Sequence, residues 1–207
     1  MMLTNFLREI RNIKEDNSSN YIMLRLHTMK ISRAKDNRRL AALHELGILD
    51  SAKEESYDRI TRLCSMAFDM PVSAISLVDK NRQWFKSVKG LSVRETPRNC
   101  AICNYTIQRG GPLIIEDTTK DDRTKKNPLV TKKKGFRFYA AAPLVLTNGE
   151  RVGALCVLDR KPRKLGPHQV VTLVRMADYV VRKLELRSSF TQLLWDIEER
   201  FDDPSYA

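Results

Sequence analysis

A chain of 207 residues with 42% apolar and 30% charged side chains has the length and composition of one soluble globular core with short arms. No apolar run approaches the eighteen or so residues that a membrane-spanning helix needs, and the N-terminus has neither an uninterrupted apolar stretch nor a small-residue cleavage site, so no membrane partner and no export signal are expected. The net charge of +12 raises nucleic acid as a partner.

The basic residues concentrate in two loop-like segments, "KDDRTKKNPLVTKKK" (120–134) and "DRKPRKL" (159–165). Neither interleaves aromatics with the cations, and no helix-turn-helix, zinc-finger or RNP-like string is present. They read as a solvated face, and nucleic-acid binding is not expected. Four cysteines with no export signal point to reduced thiols and a cytoplasmic location.

Leu3, Phe6, Leu7, Ile10 and Ile13 recur three or four apart, a short amphipathic helix closed by the turn-forming "KEDNSSN" (14–20). Ile22, Leu24 and Leu26 then alternate. From Asp36 the pattern becomes regular. Leu40, Leu43 and Leu46 share one helical face that ends near Gly47. Ser51 and Glu54 offer a capping box for a second helix with a predicted buried stripe of Tyr57, Ile60, Leu63, Cys64 and Ala67. "PVSAISLVD" (71–79) and "QWFKSVKG" (83–90) read as hairpin strands. Asn99 is placed to cap a short helix through 108, and "PLIIED" (112–117) is a further strand. A long irregular stretch, 118–135, follows. "FRFYAAAPLVL" (136–146) and "RVGALCVLD" (151–159) are strands joined at Asn148-Gly149, and Pro167 opens a helix predicted to reach about Phe201. Strands in hairpin pairs between helices predict an α+β fold around an antiparallel sheet. The absence of βαβ repeats and of G-x-G-x-x-G excludes a dinucleotide-binding fold.

The strings "RLAALHELGILDS", "SLVDKNRQWFKS", "ETPR", "NPLVT", "GFRFYAAAPLV" and "VGALCVLDRKPRKL" stand in the order and spacing of a GAF domain. They resemble the subgroup found in bacterial sensor kinases and cyclic-dinucleotide signalling enzymes. The resemblance covers about residues 37–187. It leaves 1–36 as a partly helical N-terminal arm and 188–207 as a C-terminal helical extension. It implies a sheet of five or six antiparallel strands with helices on both sides. The first and last helices would lie on one face; the short helix and long loop on the other would enclose a small pocket. It also implies a regulatory, dimerising, small-ligand-binding module. With only nineteen residues after Ser188, no output domain of its own is expected, so any signal passes to a separate partner or through a homodimer. Three positions depart from the subgroup: Cys100 stands where an aliphatic is usual, Thr124 where Phe is common and Ala141 where Gly is common.

"RNCAICNYTIQ" (98–108) brings Cys100 and Cys103 into C-x-x-C spacing. Zinc would need further paired ligands, whereas Cys64, Cys156, His44 and His168 are singletons, so no metal is expected. A helix start near Arg94 and Arg98 would favour a thiolate. In the GAF branch of free methionine-R-sulfoxide reductases, thiols in this pocket do the chemistry; that is the alternative function. The remaining reading makes both cysteines small buried residues, with Cys103 as pocket wall.

On the implied fold, the expected ligand-binding residues are Trp84, Phe85, Cys103, Asp117, Pro128, Phe138, Tyr139 and Cys156. Asp117, Arg123 and Arg137 are expected to hold the loop as an ion-pair set. No nucleophile–base constellation stands out, so the chain reads as a non-enzyme needing no cofactor, with an unidentified small molecule as ligand. On the last helix, Leu173, Ala177, Val180 and Leu184 form one seam. Phe190, Leu194, Ile197 and Phe201 form a second, expected to pack with the N-terminal helix (Leu3, Phe6, Leu7, Ile10) of the same or another chain, so that terminal helices bundle in a homodimer.

Overall fold

The computed structural model describes residues 32–202. The N-terminal amphipathic helix and the alternating stretch 22–26 lie outside the described residues. Helix α1 (Arg33–Glu45) is capped by the Ser32 hydroxyl, and α2 spans Glu55–Ala67. Then come β1 (Val72–Val78), β2 (Arg82–Lys89), β3 (Glu95–Pro97), a single 3-10 turn (Arg98–Cys100), α3 (Cys103–Thr106) and β4 (Leu113–Ile115). Helix α4 (Pro128–Thr131), β5 (Phe138–Val145), β6 (Arg151–Asp159) and α5 (Pro167–Asp202) complete the described residues. The six strands form one antiparallel sheet in the order β3-β2-β1-β6-β5-β4.

Strand alternation divides the core in two. On one face α1, α2 and α5 pack over Ile75, Leu77, Trp84, Phe138, Leu155 and Val157, contributing Leu43, Tyr57, Ile60, Leu173, Val180 and Leu184. The burial of each such side chain stabilises the fold by about 1.5–3 kcal/mol. On the other face α3, α4 and their loops cover Val72, Ala74, Phe85, Tyr139, Ala141, Ala154 and Cys156. The alanines on the central strands β1, β5 and β6 leave the depth that α3 occupies.

Several local expectations change. The sequence from 98 to 108 is two short pieces rather than one helix: Cys100 belongs to the 3-10 turn and Cys103 opens α3. No capping box forms at α2. Ser51 donates back to the Ile48 carbonyl, and the Glu54 side chain makes no cap bond. Glu54 faces Lys86 and Arg187 instead, because a buried ammonium competes better for a carboxylate than a helix-end amide does. Leu63 is 60% exposed, and the buried stripe of α2 runs through Tyr57, Ile60, Thr61 and Cys64 on to Phe68. Strand β3, only three residues long, has too short a pattern to be read from the sequence.

The expected Asp117–Arg123–Arg137 set does not form. Asp117 caps Thr119 and meets Lys120, Arg123 pairs with Asp121, and Arg137 donates to the carbonyls of Val130 and Phe136. These separate ties, with Thr118 and Thr124 buried and bonded to main-chain carbonyls, fix the 118–135 segment against the sheet. Thr124 stands where an aromatic is usual and uses its hydroxyl to hold the Thr118 carbonyl at 2.7 Å. No helix among the described residues is long and apolar enough to cross a membrane.

Candidate functional site

Beneath α3 and α4, on the sheet face away from the long helices, lies a cavity of about 40 Å³. Phe85, Tyr139 and Cys156 reach it from the sheet, Cys103 from α3 and Leu129 from α4, and Phe136 closes it. Four expected ligand-binding residues (Phe85, Cys103, Tyr139 and Cys156) therefore meet at one chamber.

The other four do not. Trp84 and Phe138 pack in the helix-side core, because each is next in sequence to a cavity residue and successive strand side chains point to opposite faces. Asp117 turns back on its own loop, and Pro128 occupies the first turn of α4 without lining the cavity. Gln83 and Thr96, absent from the expected set, do line it. Gln83 lies two residues before Phe85 and so shares its face; Thr96 is its partner across the β2–β3 ladder.

The polar atoms at the α3 end of the cavity satisfy one another. The Tyr139 hydroxyl lies 2.7 Å from Thr106 Oγ1 and donates to Cys103 Sγ at 3.2 Å. Cys103 also shares a hydrogen bond with Cys156, and that bond, helped by Ser76 and Tyr139, holds its thiol below the ordinary range against the effect of burial. Cys156 moves up correspondingly, through the same bond and its own burial. Burial pushes the Cys100 thiol up to about 11. Cys103 therefore takes Cys156 as its thiol neighbour across the chamber. Cys100 is buried in its own turn, where its carbonyl accepts from Asn127 Nδ2 at 2.9 Å. Arg98 is committed elsewhere, clamping the Asp36 carboxylate with two bonds of 2.8 Å. Among the described residues no three His, Cys, Asp or Glu side chains gather as a metal site would require.

A larger open groove of about 430 Å³ follows the second half of β2, beside α2. Strand β3 pairs only with Arg82–Trp84, so this half of β2 has no strand on its outer side. The groove's inward polar groups already have partners: Ser87 donates to Asp58 and contacts Thr61, and Lys86 bonds Ser51, Ala52 and Glu54. Size alone favours the groove. Buried polar atoms that still lack partners, on an otherwise apolar and aromatic wall, favour the smaller cavity.

The β1–β2 register skips Lys86, and this bulge turns both Lys86 and Ser87 toward the helix layer. Lys86 Nζ, with its side chain wholly buried, lies 2.6 Å from Glu54 Oε1, which also accepts from Arg187 Nε of α5 at 3.0 Å. Ser188 adds a bond to the Glu45 carbonyl. The cavity strand and the last helix are thus joined through one carboxylate. Beyond Ser188, residues 189–201 of α5 are exposed.

A six-stranded antiparallel sheet, with long helices on one face and a small chamber under short helices on the other, defines an α+β fold of the GAF-like class. The chain belongs to the GAF domain family, whose model matches residues 53–184. It is 36% identical over 156 residues to a cyclic di-GMP phosphodiesterase from Pseudomonas aeruginosa, a match covering 74% of this chain. It spans only 27% of that relative's length. Among solved structures it resembles the GAF domain of an Acinetobacter phosphoenolpyruvate-protein phosphotransferase, with a TM-score of 0.55 at 18% identity over 79% of this chain and 97% of that one. A free methionine-R-sulfoxide reductase from Neisseria meningitidis has the same fold, with a TM-score of 0.54 at 15% identity over 78% and 96% of the two chains.

Proposed function

We propose that this chain is a non-enzymatic sensor or adaptor. A small molecule in the α3-side cavity would alter how α5 is presented to a second copy of the chain or to a separate signalling protein. The observation that carries this reading is the exposed seam of α5. Phe190, Leu194, Ile197 and Phe201 are 59%, 44%, 41% and 86% exposed, at spacings of four, three and four. That spacing is self-complementary between two helices, and such a row in water is stabilised by a partner. The first seam, Leu173, Ala177, Val180 and Leu184, is already buried on the domain, so the second is the one left for association. The likeness to a phosphodiesterase acting on cyclic di-GMP supports a role in nucleotide-linked signalling, with this chain supplying sensing rather than catalysis.

Sedimentation at micromolar concentration tests the assembly: wild type is expected to be a dimer, and Leu194→Glu with Ile197→Glu a folded monomer. A monomeric wild type would overturn the homodimer and leave a separate signalling protein as the target of the seam. Native mass spectrometry of the same samples tests for a retained small molecule.

The contact between Cys103 and Cys156 favours a second reading, a thiol reductase acting on free methionine sulfoxide. Against it, that substrate carries an ammonium and a carboxylate, and no charged residue lines the cavity. NADPH consumption coupled through thioredoxin, in wild type against Cys103→Ser, separates the two; activity lost in the variant would favour the reductase.

A further inference from the structure

The cavity's β2–β3 end differs from its thiol end. Gln83 and Thr96 are each only 5% exposed, and both line the chamber. Among the described residues, Gln83 Oε1 and Thr96 Oγ1 are the buried side-chain polar atoms with no hydrogen-bond partner. A buried acceptor and a buried hydroxyl left unpaired are costly, so native proteins rarely leave them so. They sit on facing positions of the β2–β3 ladder and can be satisfied by one group between them. Around them the wall is apolar and aromatic, and no lining side chain is charged.

We propose that Gln83 and Thr96 are the polar anchors of the ligand site, and that its ligand is a small uncharged molecule with an apolar body and one hydroxyl or amide head. The head donates to Gln83 Oε1 and exchanges a second hydrogen bond with Thr96 Oγ1, while Phe85, Phe136 and Tyr139 enclose the body. This rests on the small-ligand reading above and narrows it. A phosphate or carboxylate would bring charge into a chamber with no cation to receive it. The Gln83 amide and the Thr96 hydroxyl can each donate to an anion but carry no charge to offset its desolvation. The volume of about 40 Å³ is roughly three times what one water requires, which suits a molecule of a few non-hydrogen atoms.

The test uses the chain as it is, isotopically labelled, with amide shifts followed during titration with butyramide, butyrate and cyclic di-GMP. Butyramide is expected to bind saturably in the millimolar range and to shift amides around Phe85, Thr96 and Cys103; butyrate and cyclic di-GMP are not. Gln83→Met and Thr96→Val, checked for native shift dispersion, are each expected to weaken butyramide by about tenfold, the value of one lost hydrogen bond. If butyrate or cyclic di-GMP binds the chamber, the uncharged-ligand inference is overturned while the sensor reading stands. If butyramide binds equally well to both folded variants, the anchors are wrong. If butyramide does not bind, the two side chains hold only water and the inference fails; a ligand retained in native mass spectra would still support the broader sensor reading.

Discussion

Glu54→Ala removes the carboxylate shared by Lys86 and Arg187, and the cost follows from where the two cations sit. Lys86 has no exposed side-chain surface, whereas Arg187 is 27% and Glu54 34% exposed. Deprived of Glu54, the ammonium keeps only neutral acceptors, Ser51 Oγ and the Ala52 carbonyl, both at 2.8 Å. Removing one partner of a fully buried pair costs about 3–5 kcal/mol. The partial exposure of Glu54 lowers this to about 2–3 kcal/mol, since water already screens some of the attraction. Lys86→Met in the same background removes the stranded charge and fills the space with a similar unbranched chain. The double variant is therefore expected to recover about 1–2 kcal/mol relative to Glu54→Ala alone. Urea unfolding of wild type, both single variants and the double variant measures the cycle. Hydrogen exchange across 184–190 should accelerate in Glu54→Ala, because Arg187 loses its carboxylate and keeps only the longer bond to the Gly47 carbonyl. If the double variant is less stable than Glu54→Ala, with the two costs adding, the account of a stranded buried ammonium is refuted.

Gly153 lies in β6 where an added Cβ would come 2.0 Å from the Ser76 carbonyl oxygen of β1. Gly153→Ala must therefore push β1 and β6 apart at the centre of the sheet and should cost about 3 kcal/mol in chemical denaturation; unchanged stability would contradict the close approach. Thr124→Val loses the bond to the Thr118 carbonyl at a fully buried position and should destabilise by about 1–2 kcal/mol. Burial raises the Asp36 carboxyl, but hydrogen bonds from Arg98 and Arg39 outweigh it and hold the group below its ordinary value. A folded value below the unfolded one gives stability that is complete above the ordinary carboxylate value of about 4 and lost as pH falls through the depressed one. The urea midpoint should thus hold from pH 7 to 5, then fall in acid; a rise would reverse the sign of the argument. Burial pushes Cys64 up to about 12, and all four thiols are at most 2% exposed. A thiol reagent at pH 8 should label the native chain far more slowly than the unfolded one, and rapid native labelling would show that the core opens.

The strands and long helices were legible because their signals repeat. Leu173, Ala177, Val180 and Leu184 recur with a helical period, and all four are buried. Half of the candidate site was legible for the same reason, yet the expected set paired Trp84 with Phe85 and Phe138 with Tyr139, neighbours that one face of a strand cannot both present. Parity along β2 would have pointed to Gln83, which shares the face of Phe85. Thr96 had no such signal, since β3 is too short to show a period and belongs to the sheet only through its pairing.

The sequence by itself determined the order of the longer strands and helices, the antiparallel class of the sheet and the GAF pattern, because these follow from repeats of two and 3.6 residues and from motifs that short-range geometry reads directly. Only the tertiary structure decided which cysteine Cys103 meets, which cation Glu54 serves and how small the chamber is. Each of these depends on segments far apart in the chain: Cys156 lies on β6 and Arg187 on α5, and the register slip at Lys86 exists only once β1 and β2 are paired. Charge partners and cavity volume are set by that packing, and no local pattern encodes them.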